Sequence, residues 1–232
     1  MRHSETGQIL PARCNSHLCP ECSPLHQMTA RHALEIGMVQ RCIERGRDCV
    51  VWLTLTDTSR GDLDLQRLTK QWASTVKWLR RNWGAGEYAL TREFQDRGAL
   101  HPHVCIEVSD EVADDLMDRR SRASYVRRMR ELRPMAQANG WGQMVDAVTV
   151  DGITDMQKVA RYAAKSVAGY ATKEAAEKFK RAGARRVRPI SLSYGWYPDG
   201  LAGARRQVLA QPKMSDSRIE GKWERIPKPR AC

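Results

Sequence analysis

Two apolar segments joined by a short link constrain the fold of this chain more than any other feature. Residues 87–94 (EYALTREF) and 101–108 (HPHVCIEV) have the composition of β-strands, and QDRG between them has that of a turn. Strands joined by so short a link pair antiparallel, because a parallel pair needs a crossover of a dozen or more residues. The sequence therefore predicts an antiparallel hairpin.

The segments around this hairpin alternate between helical and strand patterns. A helix is predicted over 26–46, with Met28, Ala33, Ile36 and Met38 on one side and Gly46 as its stop. Apolar residues recur at steps of three and four in a second helix that ends at Gly84, and its tryptophans are predicted to lie in the core. Further segments are listed here: strand 49–59, helix 109–137, strand 142–152, helix 154–183 and a last strand within 188–196.

This order predicts an α+β fold, an antiparallel sheet with helices packed on it. Three regions are expected along the chain: a zinc-binding segment and helix over 1–46, the main domain over 47–200, and a basic, loosely ordered tail over 201–232.

The chain is strongly basic, which favours an anionic partner such as nucleic acid over a merely solvated basic surface. It has 39 Lys/Arg against 27 Asp/Glu, a net charge of +12, and residues 171–232 hold nine of those twelve charges. No apolar run is long enough for a membrane span, and the N-terminus has no signal-peptide core. We therefore expect a cytoplasmic protein with reduced cysteines, and no Walker-type loop indicates ATP-driven work.

Two histidines open the second strand of the hairpin. Side chains alternate along a strand, so His101, His103 and Cys105 point the same way, and Glu93 on the neighbouring strand can face them. Two imidazoles and a carboxylate would hold a divalent ion and leave coordination positions open. For an isolated H-x-H pair, a hydrogen-bonded role without metal is the commoner alternative.

The helix over 154–183 carries two copies of the spacing Y-x-x-K. Tyr162 and Lys165 share a helix face, and Tyr170 and Lys173 repeat the pattern eight residues on. A phenol becomes a nucleophile only when its proton is removed, and nearby positive charge favours that loss. The alternative for each tyrosine is a half-buried packing residue.

A cysteine-rich segment precedes the first helix. Cys14, Cys19 and Cys22 have the spacing of a zinc knuckle, which would be structural because so short a segment cannot bury a core of its own. His26 is the first choice for the fourth ligand. His17, Cys42 and Cys49 compete for that place.

Taken in order, these motifs resemble those of the rolling-circle replication initiators of bacterial plasmids and filamentous-type phages, within the HUH endonuclease superfamily. The resemblance runs from about residue 13 to 197. Leu53–Thr56 resembles the first motif, an LTLT-like strand, His101-Pro102-His103 the metal-binding second motif, and Tyr162 with Lys165 the third. Relatives often read H-P-H-x-H, and this chain has Cys105 at the final position, so His103 with Cys105 is the alternative metal pair.

The resemblance implies a sheet of about five antiparallel strands with the metal strand at its centre, and an enzyme that nicks single-stranded or hairpin origin DNA. Mg²⁺ or Mn²⁺ on His101, His103 and Glu93 would polarise the phosphate, Tyr162 would attack it, and Tyr170 is a candidate second nucleophile. Lys165 would offset negative charge. A host helicase and replication machinery would be partners, and these residues are expected to contact DNA: Lys158, Arg161, Lys173, Arg185, Arg186 and Arg188.

Three other functions fit some of these features. A zinc-stabilised DNA-binding regulator explains the charge and the cysteines but leaves HPH and Y-x-x-K without a role. A relaxase or transposase would use the same chemistry in another DNA context. A metallo-phosphoesterase would need the metal but no tyrosine.

Overall fold

The computed structural model describes residues 2–3, 15–58, 64–94, 100–117, 122–171, 177, 188–210 and 223–224. Within them, six α-helices pack on a five-stranded antiparallel sheet, which confirms the predicted α+β class. None of the described helices combines the length and the apolar character that crossing a membrane requires.

The predicted hairpin forms the middle of the sheet. Strand β4 (Leu100–Glu107) is central, with β2 (Val50–Thr54) on one side and β3 (Tyr88–Phe94) on the other. The edge strands are β5 (Asp146–Thr149) beside β2 and β6 (Ile190–Leu192) beside β3. Two short strands, β1 (Arg2–His3) and β7 (Trp223–Glu224), pair separately from this sheet.

The helices lie between and after these strands, and two of them end at the predicted glycines. Gly46 and Gly84 have φ values of 69° and 59°, a left-handed conformation that favours glycine. The helices are α1 (Ser23–Arg45), α2 (Leu65–Trp83), α3 (Asp110–Met117), α4 (Arg122–Ala138), α5 (Gly152–Ala168) and α6 (Gly200–Ala210), and a 3₁₀ turn (Gly169–Ala171) follows α5.

The sheet separates two apolar layers because successive strand residues face opposite sides. Val104 and Ile106 of β4 face the layer that contains residues of α2, α3 and α4. Cys105, between them, faces the layer that contains residues of α1, α5 and α6. The tryptophans Trp72 and Trp83 of α2 are buried, as predicted.

Three sequence predictions differ from the structure. Of the residues predicted on one side of the first helix, Ala33 and Met38 are buried, while Met28 and Ile36 are among the exposed apolar residues. The real buried face of α1 follows steps of three and four through Leu25, Ala30, Leu34 and Gly37, and the indole of Trp196 lies against Gly37.

The other two differences concern element boundaries. Helical structure over 109–137 is divided between α3 and α4 instead of forming a single helix. Residues 201–210, predicted as the start of a loose tail, belong to α6, because Ala204 and Val208 bury apolar surface, Ala204 in the same layer as α1.

Candidate active site

The candidate site lies on the α1/α5 side of the sheet, across strands β2, β4 and β3. His101, His103 and Cys105 share this face, as the alternation of β4 predicts. Thr54 of β2 pairs directly with His103, and Glu93 of β3 pairs directly with His101. The register of three adjacent strands therefore brings an imidazole pair, a hydroxyl and a carboxylate together.

His103 is the most constrained side chain of this group. Its Nε2 atom lies 3.0 Å from Glu93 Oε2, and its Nδ1 atom lies 3.3 Å from Thr54 Oγ1. The Trp52 ring stacks on one side of the imidazole, with ring centroids 4.9 Å apart, and the His101 ring stacks at the same distance. Burial lowers the pKa of His103, although Glu93 acts in the opposite direction. The neutral imidazole is the form that can ligate a metal.

Helix α5 carries Tyr162 to this group. Small buried residues, Ala160, Ala163 and Ala164, form its inner side and let the helix lie close to α1 and β3. Tyr162 projects from this helix with 52% of its surface exposed, and its hydroxyl donates to Glu93 Oε2 at 3.3 Å. The same carboxylate oxygen therefore faces both the phenol and His103 Nε2.

The environment of Tyr162 keeps the phenol protonated. Partial burial raises its pKa, and the nearby Glu93 carboxylate raises it further. The ring stands edge-on to His103, with centroids 5.4 Å apart, and edge-on to Trp52 at 6.2 Å. The phenol is thus oriented by two rings and a carboxylate, and the side chain remains half open to solvent.

Tyr170 occupies a different environment, although it repeats the spacing of Tyr162. It lies in the 3₁₀ turn with 1% of its surface exposed, and its hydroxyl donates to the backbone carbonyl of Arg92 at 2.9 Å. Burial raises its pKa strongly. The arrangement of Tyr170 is that of a buried, hydrogen-bonded packing residue.

Cys105 is fully buried behind the imidazoles. Loss of solvent raises the pKa of its thiol, which disfavours the thiolate that a metal requires. Of the two metal pairs that the sequence left open, the geometry favours His101 with His103.

The predicted cationic residues lie in several places. Lys165 and Arg161 are exposed on α5, on either side of Tyr162 along the helix, and Lys158 is exposed but ion-paired with Asp155 at 2.8 Å. Arg188 is exposed near β6, and its backbone carbonyl accepts a hydrogen bond from the Arg92 side chain. Three predicted DNA contacts lie outside the described residues: Lys173, Arg185 and Arg186.

The cysteine-rich segment lies at the start of α1. The backbone amides of Cys22 and Ser23 donate to the Cys19 carbonyl, which forms the turn before the helix. The rings of His17 and His26 approach to 4.0 Å between centroids. Within the described residues, His17 Nδ1 and His26 Nε2 are buried without a hydrogen-bond partner.

Both imidazoles of this segment favour the neutral form. Burial lowers the pKa of His17 to about 4, aided by His26 and Arg205, and burial also lowers the pKa of His26. Cys14 lies outside the described residues. Cys42 and Cys49 contact one another near the other end of α1, about 30 Å along the helix from Cys22, so they are too distant to complete this set.

A metal geometry is not complete at either place. In the part of the chain that the structure describes, no group of three or more His, Cys, Asp or Glu side chains is arranged to hold an ion. At the sheet, Glu93 and His103 have converged, and His101 stacks on His103.

Sequence reasoning assigned no role to Trp52 and Thr54, although both contact His103. Thr54 belongs to the LTLT-like stretch, which served only as a motif. Alternation along β2 would have put Trp52 and Thr54 on one face, but the register that sets Thr54 opposite His103 is a tertiary feature.

Comparison with known proteins bears on the same region. The model of one family, that of the replication-associated protein ORF2, matches residues 50–175, more than half of the chain, from β2 to beyond α5. A search of curated proteins found no match, and a search of solved structures found none either.

Proposed function

This chain belongs to the replication-associated protein ORF2 family, and from that premise we propose that it nicks one strand of origin DNA through a covalent tyrosyl intermediate to start rolling-circle replication. The observation that carries the proposal is the convergence on Glu93 Oε2, which lies 3.0 Å from His103 Nε2 and 3.3 Å from the Tyr162 hydroxyl. A nucleophile and metal-ligand types thus meet at one point.

The donors at this point suit a divalent cation. Two adjacent ligands of an octahedral ion, each about 2.1 Å from it, lie about 3 Å apart, which is the separation of Glu93 Oε2 and His103 Nε2. His101 on the same strand would be the third ligand. Bound there, Mg²⁺ or Mn²⁺ would polarise the scissile phosphate and offset its charge.

The protein groups supply the nucleophile and its proton acceptor. The Tyr162 proton passes to Glu93, the phenolate oxygen bonds to phosphorus, and the bond from phosphorus to the 3′ oxygen breaks. The products are a 5′-phosphotyrosyl link and a 3′-hydroxyl that primes synthesis. The phosphodiester energy is kept in the new ester, so no ATP is needed for later rejoining.

Lys165 is proposed to stabilise charge in this step. It lies three residues after Tyr162 and is exposed, so its ammonium is on the same helix face as the nucleophile and open to a DNA phosphate. Arg161 and Arg188, together with the predicted cations outside the described residues, would bind backbone phosphates and make binding salt-dependent.

The exposure of Tyr162 bears on the substrate. A half-exposed phenol on a helix accepts a flexible strand more readily than a stacked duplex, so we expect single-stranded DNA or the loop of an origin hairpin. Unwinding would come from a separate host helicase.

A structural zinc ion is part of the proposal. Cys14, Cys19 and Cys22 would supply thiolates, and His26 or His17 the fourth ligand. The support is the pair of buried ring nitrogens that have no hydrogen-bond partner among the described residues, since neutral imidazoles are the form zinc binds. Zinc content of the purified protein, measured with and without Cys19→Ser, tests this part.

Adduct trapping tests the catalytic proposal without knowledge of the origin sequence. The protein is incubated with a randomised pool of single-stranded DNA and Mn²⁺, SDS-resistant adducts are isolated, and the conjugated peptide is mapped by mass spectrometry. We expect an adduct on Tyr162 that requires the cation, and sequencing of the trapped strand gives the site.

Other results identify the alternatives. A regulator forms no adduct with any member of the pool. A metallo-phosphoesterase cuts DNA without an adduct and keeps its activity in Tyr162→Phe. A relaxase or transposase forms the same adduct, but the trapped sequence then maps to a transfer region or an element end instead of a replication origin.

A further inference from the structure

We propose that the exposed side of helix α2 is a second DNA-binding surface, which holds duplex next to the nicked strand by its phosphates. This inference rests on the proposed function for its biological meaning, but its test does not. The surface consists of Lys70, Lys77 and Arg81, called here the α2 basic stripe.

The three residues are aligned by the helical period. At about 100° per residue, Lys70, Lys77 and Arg81 fall within about 40° of one another. The buried residues Leu68 and Leu79 lie on the opposite side of the same helix. The stripe therefore points straight away from the sheet, and all three side chains are exposed.

The charges of the stripe have no counter-charges nearby. Residues 65–83 contain five Lys or Arg and no Asp or Glu. Among the described residues, no carboxylate forms an ion pair with Lys70, Lys77 or Arg81, whereas Arg67, near the start of the helix, pairs with Asp57.

Exposed arginines on other helices are arranged differently. Arg31 pairs with Glu35, Arg127 with Asp115, and Arg206 with Asp199. A cation that serves only solubility gains from such pairing, and the α2 basic stripe forgoes it. Unpaired cations in a row favour an external anion as their partner.

The spacing of the stripe suits a nucleic-acid backbone. At about 1.5 Å per residue, Lys70 and Arg81 are about 16 Å apart along the helix, close to the rise of five nucleotides in one strand of B-DNA. Ser74 is exposed between Lys70 and Lys77, and a hydroxyl is a common donor to phosphate. The occupant is therefore a regular polyanion.

The position of the stripe separates it from the nicking site. The buried side of α2 packs in the layer with Val104 and Ile106, whereas His103 and Tyr162 lie on the opposite face of the sheet. DNA on α2 cannot be the few nucleotides held at Tyr162, so we assign the stripe to flanking duplex.

The test is the salt dependence of duplex binding. Affinity for a random-sequence duplex of about 30 base pairs is measured in EDTA across a range of salt concentrations. Each lost phosphate contact lowers the slope of log K against log salt by about 1, so K70Q/K77Q/R81Q should lower it by about 3. Between about 50 and about 200 mM salt, the loss of affinity then becomes about 60-fold smaller.

Two variants make the result decisive. R31Q/R127Q/R206Q removes the same number of exposed positive charges from ion pairs, and its slope should stay within about 0.5 of wild type. K70Q/K77Q, a milder change, should lower the slope by about 2 and covers the case in which the triple variant does not fold.

The inference is overturned if the stripe variants and the control have equal slopes, which would mean a solvated surface or an acidic protein partner. It is also overturned if K70Q/K77Q/R81Q loses adduct formation on single-stranded DNA as severely as duplex binding. If wild type forms no adduct, the nicking proposal fails, while the slopes still decide whether α2 binds DNA.

Discussion

Tyr162 and Tyr170 lie eight residues apart, share the spacing Y-x-x-K, and have opposite environments. Tyr162 is half exposed and donates to a side-chain carboxylate, while Tyr170 is buried and donates to a backbone carbonyl. The pKa of each phenol is raised, mainly by burial. The motif alone therefore does not define a nucleophile.

What separates the two tyrosines is the partner of the hydroxyl. A carboxylate can accept a proton and share a cation, so the phenol of Tyr162 can change state where it stands. An amide carbonyl accepts a hydrogen bond but not the proton, so the Tyr170 phenol is held in its neutral form. We accordingly expect chemistry at the first tyrosine and stability from the second.

Replacing Tyr162 by Phe should have the largest effect. The substitution removes the attacking oxygen and leaves the ring contacts with His103 and Trp52 in place, so adduct formation should fall at least about 1,000-fold while the fold is unchanged. Gel quantification of SDS-resistant adduct measures this. Tyr194→Phe, at a fully exposed tyrosine, is the matched control. An adduct that persists and maps to Tyr170 would reverse the comparison.

Replacing His103 by Ala should have the next largest effect. It removes a proposed cation ligand and the partner of Glu93 Oε2, and a metal ion contributes several kcal/mol to such a step. Adduct formation should therefore fall at least about 100-fold. His32, which lies on α1 against Tyr197, provides the control substitution His32→Ala. Equal activity of the two variants would contradict a metal role for the HPH strand.

Replacing Thr54 by Val tests how the imidazole is oriented. With Nε2 on a cation, the proton of His103 must be on Nδ1, and Thr54 Oγ1 at 3.3 Å is placed to accept it. Thr54→Val should weaken Mn²⁺ binding by about 10- to 100-fold, measured by electron paramagnetic resonance of free Mn²⁺.

Two further variants separate orientation from packing at this position. Thr54→Ser restores the hydroxyl and should recover most of the affinity. Thr69→Val changes an exposed threonine whose hydroxyl bonds its own helix, and should have no effect. If Thr54→Ser binds Mn²⁺ as weakly as Thr54→Val, the hydroxyl does not orient His103.

The features predictable from the sequence are those set by local period and alternation. The hairpin, the α+β class, the stops at Gly46 and Gly84 and the common face of His101, His103 and Cys105 all follow from such patterns. The register of β2 against β4, which brings Thr54 to His103, and the burial of Tyr170 by distant chain segments depend on tertiary packing. The early tail prediction failed for the same reason, since α6 is held by its contact with α1.

Replacing Tyr170 by Phe should have the smallest effect, and on stability alone. The variant loses one buried hydrogen bond and leaves the Arg92 carbonyl without that donor, which costs about 1 kcal/mol. For a chain of this size, thermal unfolding should shift down by about 2–4 °C. Adduct formation per folded molecule should match wild type, because the Tyr170 hydroxyl faces a backbone amide and not the cation ligands. A variant with unchanged melting temperature but reduced strand transfer would make Tyr170 a second nucleophile, and the buried environment would then have to open during the reaction.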